Sequence, residues 1–263
     1  MPNAIGIGMA KCGTGTLGFL DCHPNIAFRG TEPRYFLDES TNEAIIRAWR
    51  TKDKSKLHIL RHRYTNRLPR AARDEYLVEK SPQYIGGETY DGMVKRAWAM
   101  KILNPKLKII IVTCDPIKQM YSQFRMQERR AADYKAKGTS LKRCSACLKQ
   151  PMKDQMKEWS IKVSRCHRSR KGMCSADFFH QMAPWRRVFK DRNIFIMDGE
   201  RMAQNAGEEI EKLLEFLEVP QQTFSFENQR NKGFSCLQHP LPFCLNPAKG
   251  TSRKTDVYKL YPQ

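Results

Sequence analysis

Gly8-Met9-Ala10-Lys11-Cys12-Gly13-Thr14-Gly15-Thr16-Leu17 is the stretch whose reading decides the fold. It follows Ala4-Ile5-Gly6-Ile7, an apolar run of strand length, and leads into Thr16-Leu17-Gly18-Phe19-Leu20, which reads as the start of a helix. A buried strand, a glycine-rich turn and a helix, in that order, let backbone N–H groups converge on an anion at the positive end of the helix. The loop is not a Walker A sequence, in which lysine follows the last glycine, because Lys11 precedes Gly13-Thr14. Taken alone, it is equally well a plain glycine turn carrying a solvated lysine.

Working outward, His23-Pro24-Asn25 ends that first helix, and Glu32-Pro33-Arg34-Tyr35-Phe36 belongs on a strand end or loop. A helix is predicted over 42–49, a short strand over 76–80 stopped by Ser81-Pro82, and a basic helix over 91–103. Residues 108–113, Lys-Ile-Ile-Ile-Val-Thr, form a continuous β-branched run, the pattern of a parallel strand covered on both faces. It ends at Asp115-Pro116, with a helix expected over 118–129, a strand over 193–197 and an amphipathic helix over 208–217. Strands alternating with helices predict an α/β fold, a central, mainly parallel sheet flanked by helices. One domain is expected over 1–263, carrying a basic, Cys-containing insertion at about 130–173.

The 263 residues carry 47 Lys and Arg against 27 Asp and Glu, a formal net charge of +20. Such a balance calls for an anionic partner: nucleic acid, acidic polysaccharide or an anionic membrane surface. The excess is concentrated, since residues 125–171 hold fifteen basic side chains and four acidic ones. No run of eighteen apolar residues is present, so nothing in this sequence reads as a membrane span. Met1-Pro2-Asn3 leads straight into a strand, without a signal peptide; the reading is cytosolic unless an anchor lies outside this sequence. Nine cysteines are unevenly placed. Cys12, Cys22 and Cys114 stand isolated, Cys144, Cys147, Cys166 and Cys174 cluster, and Cys236 and Cys244 bracket a short loop. The cluster is open to disulfides, a zinc site or unlinked thiols, and its placement suits an oxidising compartment.

Three further segments bear on the loop. They are Glu79-Lys80-Ser81-Pro82-Gln83-Tyr84; Asp115-Pro116 with Ser122 seven residues beyond Asp115; and Lys232-Gly233-Phe234-Ser235-Cys236-Leu237 followed by Cys244-Leu245 and Lys249-Gly250. In this order the four segments resemble the heparan sulfate sulfotransferases, the glucosaminyl N- and 3-O-sulfotransferases, across nearly the whole chain except about 130–173. The resemblance implies a P-loop-NTPase-like sulfotransferase fold. It also implies transfer of a sulfuryl group from 3′-phosphoadenosine 5′-phosphosulfate (PAPS), as co-substrate, to a glucosamine unit of heparan sulfate or a similar glycan. On that likeness Lys11, Cys12, Gly13, Thr14, Gly15 and Thr16 hold the 5′-phosphosulfate, and Lys11 and Lys80 are the catalytic cations. Glu32 is the general base, and Cys114 and Ser122 stand where the 3′-phosphate is read. Cys236 and Cys244 match a disulfide that closes a donor-binding loop, completed by Lys249, Gly250, Thr251, Ser252 and Arg253.

The chain departs from the family at several of these positions. Cys114 replaces the arginine of an Arg-Asp-Pro triplet, and losing a bidentate guanidinium–phosphate contact costs on the order of 1.5–3 kcal/mol. Lys118 and Arg125 are the nearby cations that could stand in. Arg34 and Leu37 occupy positions that the 3-O branch fills with His and Asp, with Asp38 one residue along, and Thr251 stands in place of Arg. The expectation is 3-O-sulfation, with N-sulfation or a non-catalytic polyanion-binding protein as alternatives. The acceptor expected is an acidic polysaccharide and not nucleic acid, no metal is expected, the protein is expected to be a monomer, and the resemblance places it in the Golgi lumen.

Overall fold

A computed structural model describes residues 1–263 except 29, 31, 88, 141–150, 170–177, 230–233 and 246–263. Five parallel strands form the sheet in the order β2-β3-β1-β4-β5. They are β1 (Ala4–Gly8), β2 (Ile26–Ala27), β3 (Tyr76–Lys80), β4 (Lys108–Thr113) and β5 (Ile194–Asp198). Parallel neighbours need crossovers. Helices α1 (Glu39–Arg50) and α2 (Lys54–Thr65) connect β2 to β3, and α3 (Tyr90–Leu103) connects β3 to β4. Helices α4 (Pro116–Ala136), α5 (Met152–Ser169) and α6 (Phe178–Val188) lie between β4 and β5. After β5 come α7 (Arg201–Gln204), α8 (Ala206–Leu217) and an antiparallel hairpin of β6 (Ser225–Gln229) and β7 (Phe234–His239).

The inner strands are where the sequence is most apolar. All five residues of β1 are buried, and Ile109, Ile110, Ile111 and Val112 of β4 have no exposed surface. That burial on both faces is what a continuous β-branched run provides and an alternating one does not. The helices start where side chains satisfy orphan amides. Asp38 accepts from the N–H groups of Ser40 and Thr41 at the head of α1, and Asp115 accepts from those of Ile117 and Lys118 at the head of α4. Pro116 at the first turn of α4 needs no amide partner there. In α8, Ile210, Leu213, Leu214 and Leu217 form the buried stripe.

Several elements differ from expectation. The segment after the glycine loop is a 3₁₀ helix over Thr14–Cys22, and β2, only two residues long, gives too little sequence to register. Helix α2 went unread because only Leu60 and Tyr64 among its twelve residues are buried. Helix α6 contains Pro184, a residue that argues against a helix interior. Helix α4 runs on to Ala136 and α5 lies inside the expected insertion at 130–173. Of the cysteine cluster, Cys144, Cys147 and Cys174 fall outside the described residues, as does the side chain of Cys166 on α5. No helix among the described residues is long and apolar enough to cross a membrane.

Replacing Ile110 by Ala should cost about 2–5 kcal/mol of unfolding free energy, because the cavity sits in a strand packed on both faces. Ile59→Ala, at a side chain that is 50% exposed, should change it by less than about 0.5 kcal/mol in the same urea titration.

Candidate active site

In a parallel sheet the loops after the strands gather at one edge, and ligands bind where the chain's progress across the sheet reverses. Here that point is the end of β1, since the chain moves from β1 to β2 and β3 on one side and later to β4 and β5 on the other. Residues 9–13 form the turn at that point. Lys11 has φ 73° and Gly13 φ 97°, both in the left-handed region. At Gly13 a side chain would be strained, and its carbonyl accepts both the N–H and the hydroxyl of Thr16, at 2.9 and 2.8 Å. The 3₁₀ helix starts at Thr14, and its first amides have no acceptor further back in the helix. Thr14 and Thr16 are buried and Gly15 half-buried between them. A left-handed glycine, a helix start and Lys11 together suit a compact anion.

This turn is fastened from three sides. The Met9 N–H donates to Val112 O of β4 at 2.7 Å, and Gln119 Nε2 of α4 donates to Ala10 O at 2.9 Å. Gly199, just after β5, approaches so closely that a Cβ there would lie 2.0 Å from Cys12 O. A fourth tie is covalent: Cys12 is disulfide-bonded to Cys114, with Cα atoms 5.1 Å apart. Two cysteines that stand isolated in the sequence are therefore partners, and Cys114 has no thiol to offer a nucleotide. The bond spans a sequence separation of 102, a loop size for which the chain-entropy treatment assigns about 4.7 kcal/mol of stabilisation.

Glu32 and Lys80 meet beside the turn. Gly6 of β1 is in register with Lys80 of β3, which sets the buried Lys80 next to the glycine loop. Lys80 Nζ lies 3.3 Å from Glu32 Oε1, and Arg34 Nη2 lies 2.8 Å from Glu32 Oε2. Burial pushes the Glu32 carboxyl up, but the Arg34 hydrogen bond and the Lys80 charge outweigh it and hold it below the usual carboxylate range. Glu32 is therefore ionised and placed to accept a proton.

The segment bearing Glu32 is held by side chains that the sequence did not single out. The Arg34 N–H donates to Ser81 Oγ at 3.2 Å, and the Phe36 N–H donates to the Tyr84 hydroxyl oxygen at 3.4 Å. Phe36 O accepts from Asn42 Nδ2 at 2.9 Å and from Arg96 Nε at 3.0 Å. Behind them sits Glu79, buried, with Ser81 Oγ donating to Oε1 at 2.8 Å and the Tyr64 hydroxyl donating to Oε2. Burial raises the Glu79 carboxyl to about 7, against the hydrogen bonds from Tyr64 and Ser81 that lower it. A charged residue inside an otherwise apolar strand, two positions before the Ser it orients, was the available signal.

Other expected site residues are less fully placed. Ser122 is half-buried on α4, two turns beyond Asp115. Lys118 is in an ion pair with Glu200 at 2.9 Å, and Arg125 is paired with Glu128, so neither cation is held in reserve for a phosphate. Cys236 and Cys244 are bonded, and Leu237 pairs with Phe243 within the loop they close. Lys249, Gly250, Thr251, Ser252 and Arg253 lie outside the described residues.

A parallel α/β sheet with a glycine turn at its reversal point, two lysines and an ionised carboxylate is an arrangement suited to an anionic ligand. The chain belongs to the sulfotransferase domain family, which it matches over residues 3–241. It is similar to mouse (Mus musculus) heparan sulfate glucosamine 3-O-sulfotransferase 3B1, 25% identical over 267 residues that cover 97% of this chain and 57% of that protein. To the human (Homo sapiens) 3B1 enzyme it is 26% identical over 262 residues, 95% of this chain and 56% of that protein. At that distance it is a divergent member, and it spans little more than half the length of these relatives. The crystal structure of a sulfotransferase from Alicyclobacillus acidocaldarius shares its fold, with a TM-score of 0.55 at 17% identity over 84% of this chain and 82% of that one.

Two outcomes follow from the geometry. The double replacement Cys12→Ser with Cys114→Ser should lower the unfolding free energy by about 2–5 kcal/mol in urea, as should Cys114→Arg, since either breaks the crosslink. Glu79 should make stability fall with rising pH. Its folded pKa, about 7, exceeds the ordinary 4.5, so the folded protein keeps a proton that the unfolded chain has lost. The contribution is complete below pH 4.5 and is lost as pH rises through about 7, by about 3.5 kcal/mol at most (about 1.4 kcal/mol per unit). Comparing denaturant midpoints of wild type and Glu79→Gln from pH 5 to 8 checks this; a constant difference would contradict it.

Proposed function

We propose that this protein is a PAPS-dependent sulfotransferase acting on an acidic glucosamine-containing glycan. The observation that carries the reading is the contact of Glu32 with Lys80 beside the Lys11 turn, a base and two cations at the end of adjacent strands. The residues suit the 5′-phosphosulfate of the donor. Gly13 leaves room and left-handed geometry for the backbone to approach an anion, and Thr14 to Thr16 supply the helix start. At Cys114 the fit is different. A disulfide replaces the guanidinium, so the 3′-phosphate must be read by Ser122 and by residues other than 114.

In the proposed step Glu32 takes the proton from an acceptor hydroxyl or amine. The freed lone pair forms a bond to sulfur as the sulfur–oxygen bond to the 5′-phosphate breaks. The electron pair leaves on the phosphate oxygen, where Lys11 and Lys80 neutralise it. Protonating Glu32 would release Lys80 from its ion pair just as negative charge develops on the leaving oxygen. An acceptor hydroxyl at the 3-O position of glucosamine is favoured by the similarity to the 3-O-sulfotransferases. A secretory compartment such as the Golgi lumen accords with the two disulfides among the described residues, Cys12–Cys114 and Cys236–Cys244.

Glu32→Gln should lower kcat by about 10²–10⁴-fold while leaving affinity for adenosine 3′,5′-bisphosphate within a few-fold. Incorporation of labelled sulfate into heparan sulfate disaccharides reads the first quantity and isothermal calorimetry the second. Wild-type protein that neither binds the bisphosphate at millimolar concentration nor labels any disaccharide would overturn the reading.

A further inference from the structure

Residues 47–73 contain ten Lys and Arg and one acidic residue, Asp53. The segment spans the end of α1, all of α2 and the start of the connection to β3. Nine of the ten cations are exposed: Arg47, Arg50, Lys52, Lys54, Lys56, Arg63, Arg67, Arg70 and Arg73. The tenth, Arg61, is turned inward, donating to Leu103 O and Ile102 O at the end of α3. Asp53 is used as the cap of α2, accepting from the Lys56 N–H.

None of the nine exposed cations is in an ion pair with a described residue. Some charges elsewhere are paired. Lys95 meets Glu39 and Glu43, and on α8 Lys212 meets Glu208 four residues before it. A helix gains a few tenths of a kcal/mol from each such pair and loses as much from like charges one turn apart. α2 has no acidic side chain for such pairs, and Lys54 and Lys56 in its first turn lie at the positive end of the helix dipole; an anion from outside the chain relieves both.

The placement gives this surface a direction. Arg61 contacts the end of α3 and Tyr64, three residues on, reaches Glu79 at the end of β3, so α2 climbs toward the edge that carries the site. Lys56 and Arg63 are two turns apart on one side of the helix. Beyond its end the Arg67 guanidinium lies over the Tyr35 ring, 5.2 Å from its centre. Tyr35 is three residues from Glu32 and is anchored to α2 by its hydroxyl, which donates to Leu60 O at 3.0 Å. Trp49, 54% exposed between Arg47 and Arg50, adds an open aromatic face to the cationic field.

We propose that the α2 face is the binding track for a polyanionic glycan strand, along Lys52, Lys56, Arg63 and Arg67, delivering the acceptor sugar to Glu32. A sulfated or carboxylated sugar chain fits better than a nucleic acid. The surface offers widely spaced cations and a single exposed tryptophan, without the series of aromatic platforms on which successive bases stack. The assignment of Glu32 as the delivery point rests on the sulfotransferase reading; the track itself does not.

The test compares two triple variants of the full chain, Lys52→Ser/Lys56→Ser/Arg63→Ser on α2 and Arg130→Ser/Lys135→Ser/Lys137→Ser on α4. Each is titrated with a heparin decasaccharide over a range of salt. The α2 variant should bind at least about tenfold more weakly, and the slope of log affinity against log salt should fall by about two to three, as for lost polyanion contacts. Its affinity for adenosine 3′,5′-bisphosphate and its kcat at saturating acceptor should be unchanged, with the loss appearing in acceptor KM. The α4 variant should bind nearly as wild type. Equal losses in both variants, or none in the α2 variant, would overturn the track, as would tighter wild-type binding of a twenty-residue oligouridylate than of the decasaccharide. Wild type that binds the decasaccharide through α2 but never binds the bisphosphate would support the track and overturn the sulfotransferase reading instead.

Discussion

The closure of residues 9–13 against the end of β4 sets the rest of the site. A five-residue turn with two left-handed positions is conformationally expensive, because fixing each residue costs on the order of 1–2 kcal/mol. The described contacts offset that cost from β4 through Val112 O, from α4 through Gln119, from the β5 end through Gly199 and covalently through Cys12–Cys114. Only with the turn closed does the 3₁₀ helix start beside Lys80. The crosslink also gives the cysteine at 114 a role. Where relatives of this type are expected to place a guanidinium that works on the nucleotide, this chain has a covalent tie that works on the loop. The exchange trades a side chain suited to a ligand contact for rigidity in the glycine loop.

The second half of the site is fastened by different means. Nothing covalent holds the segment of Glu32. It hangs from Ser81, Tyr84, Asn42 and Arg96, each contributing a hydrogen bond to the backbone of Arg34 or Phe36. Such a network is strong only if every member is satisfied, since a buried polar group without a partner loses more than a hydrogen bond returns. Glu79 fixes one of those partners, Ser81, and takes the Tyr64 hydroxyl as well, which explains a buried carboxyl inside a strand. A carboxyl near 7 can be neutral or charged at little cost, so it can accept from Tyr64 and Ser81 without demanding a counter-ion.

The sheet was legible in the sequence because its inner strands are apolar on both faces, as 108–113 shows, and because Asp115-Pro116 marks where a strand gives way to a helix. The missed elements share a physical cause. β2 is too short to show a period, α6 hides a proline, and α2 buries only two side chains, so its sequence shows charge and little periodicity. In the candidate site, Lys11, Glu32 and Lys80 stand out in the sequence because each sits in a run of neighbours that resembles the sulfotransferases. The Cys12–Cys114 bond could not, since a sequence separation of 102 carries no spacing rule. Nor could the α2 face, because cations spread over a helix look like an ordinary solvated surface until the exposed ones are seen to lack ion pairs with described residues.

The ion pair of Lys80 with Glu32 bears on the order of events. In the structure the base is occupied by two cations, and its carboxyl is held below the usual range. A carboxylate so stabilised is a weak base, which suits the starting state poorly for proton abstraction. In the reaction proposed above, with Glu32 as the base, an arriving donor would change the balance. Its sulfuryl and phosphate oxygens compete for Lys80, and each increment of charge that Lys80 shares with them raises the basicity of Glu32. Arg34, with its side chain 53% exposed, is free to exchange its contact for an acidic sugar of the acceptor. On that reading, binding both substrates would loosen both cations from Glu32, and the carboxylate would be most basic in the complex where the proton moves.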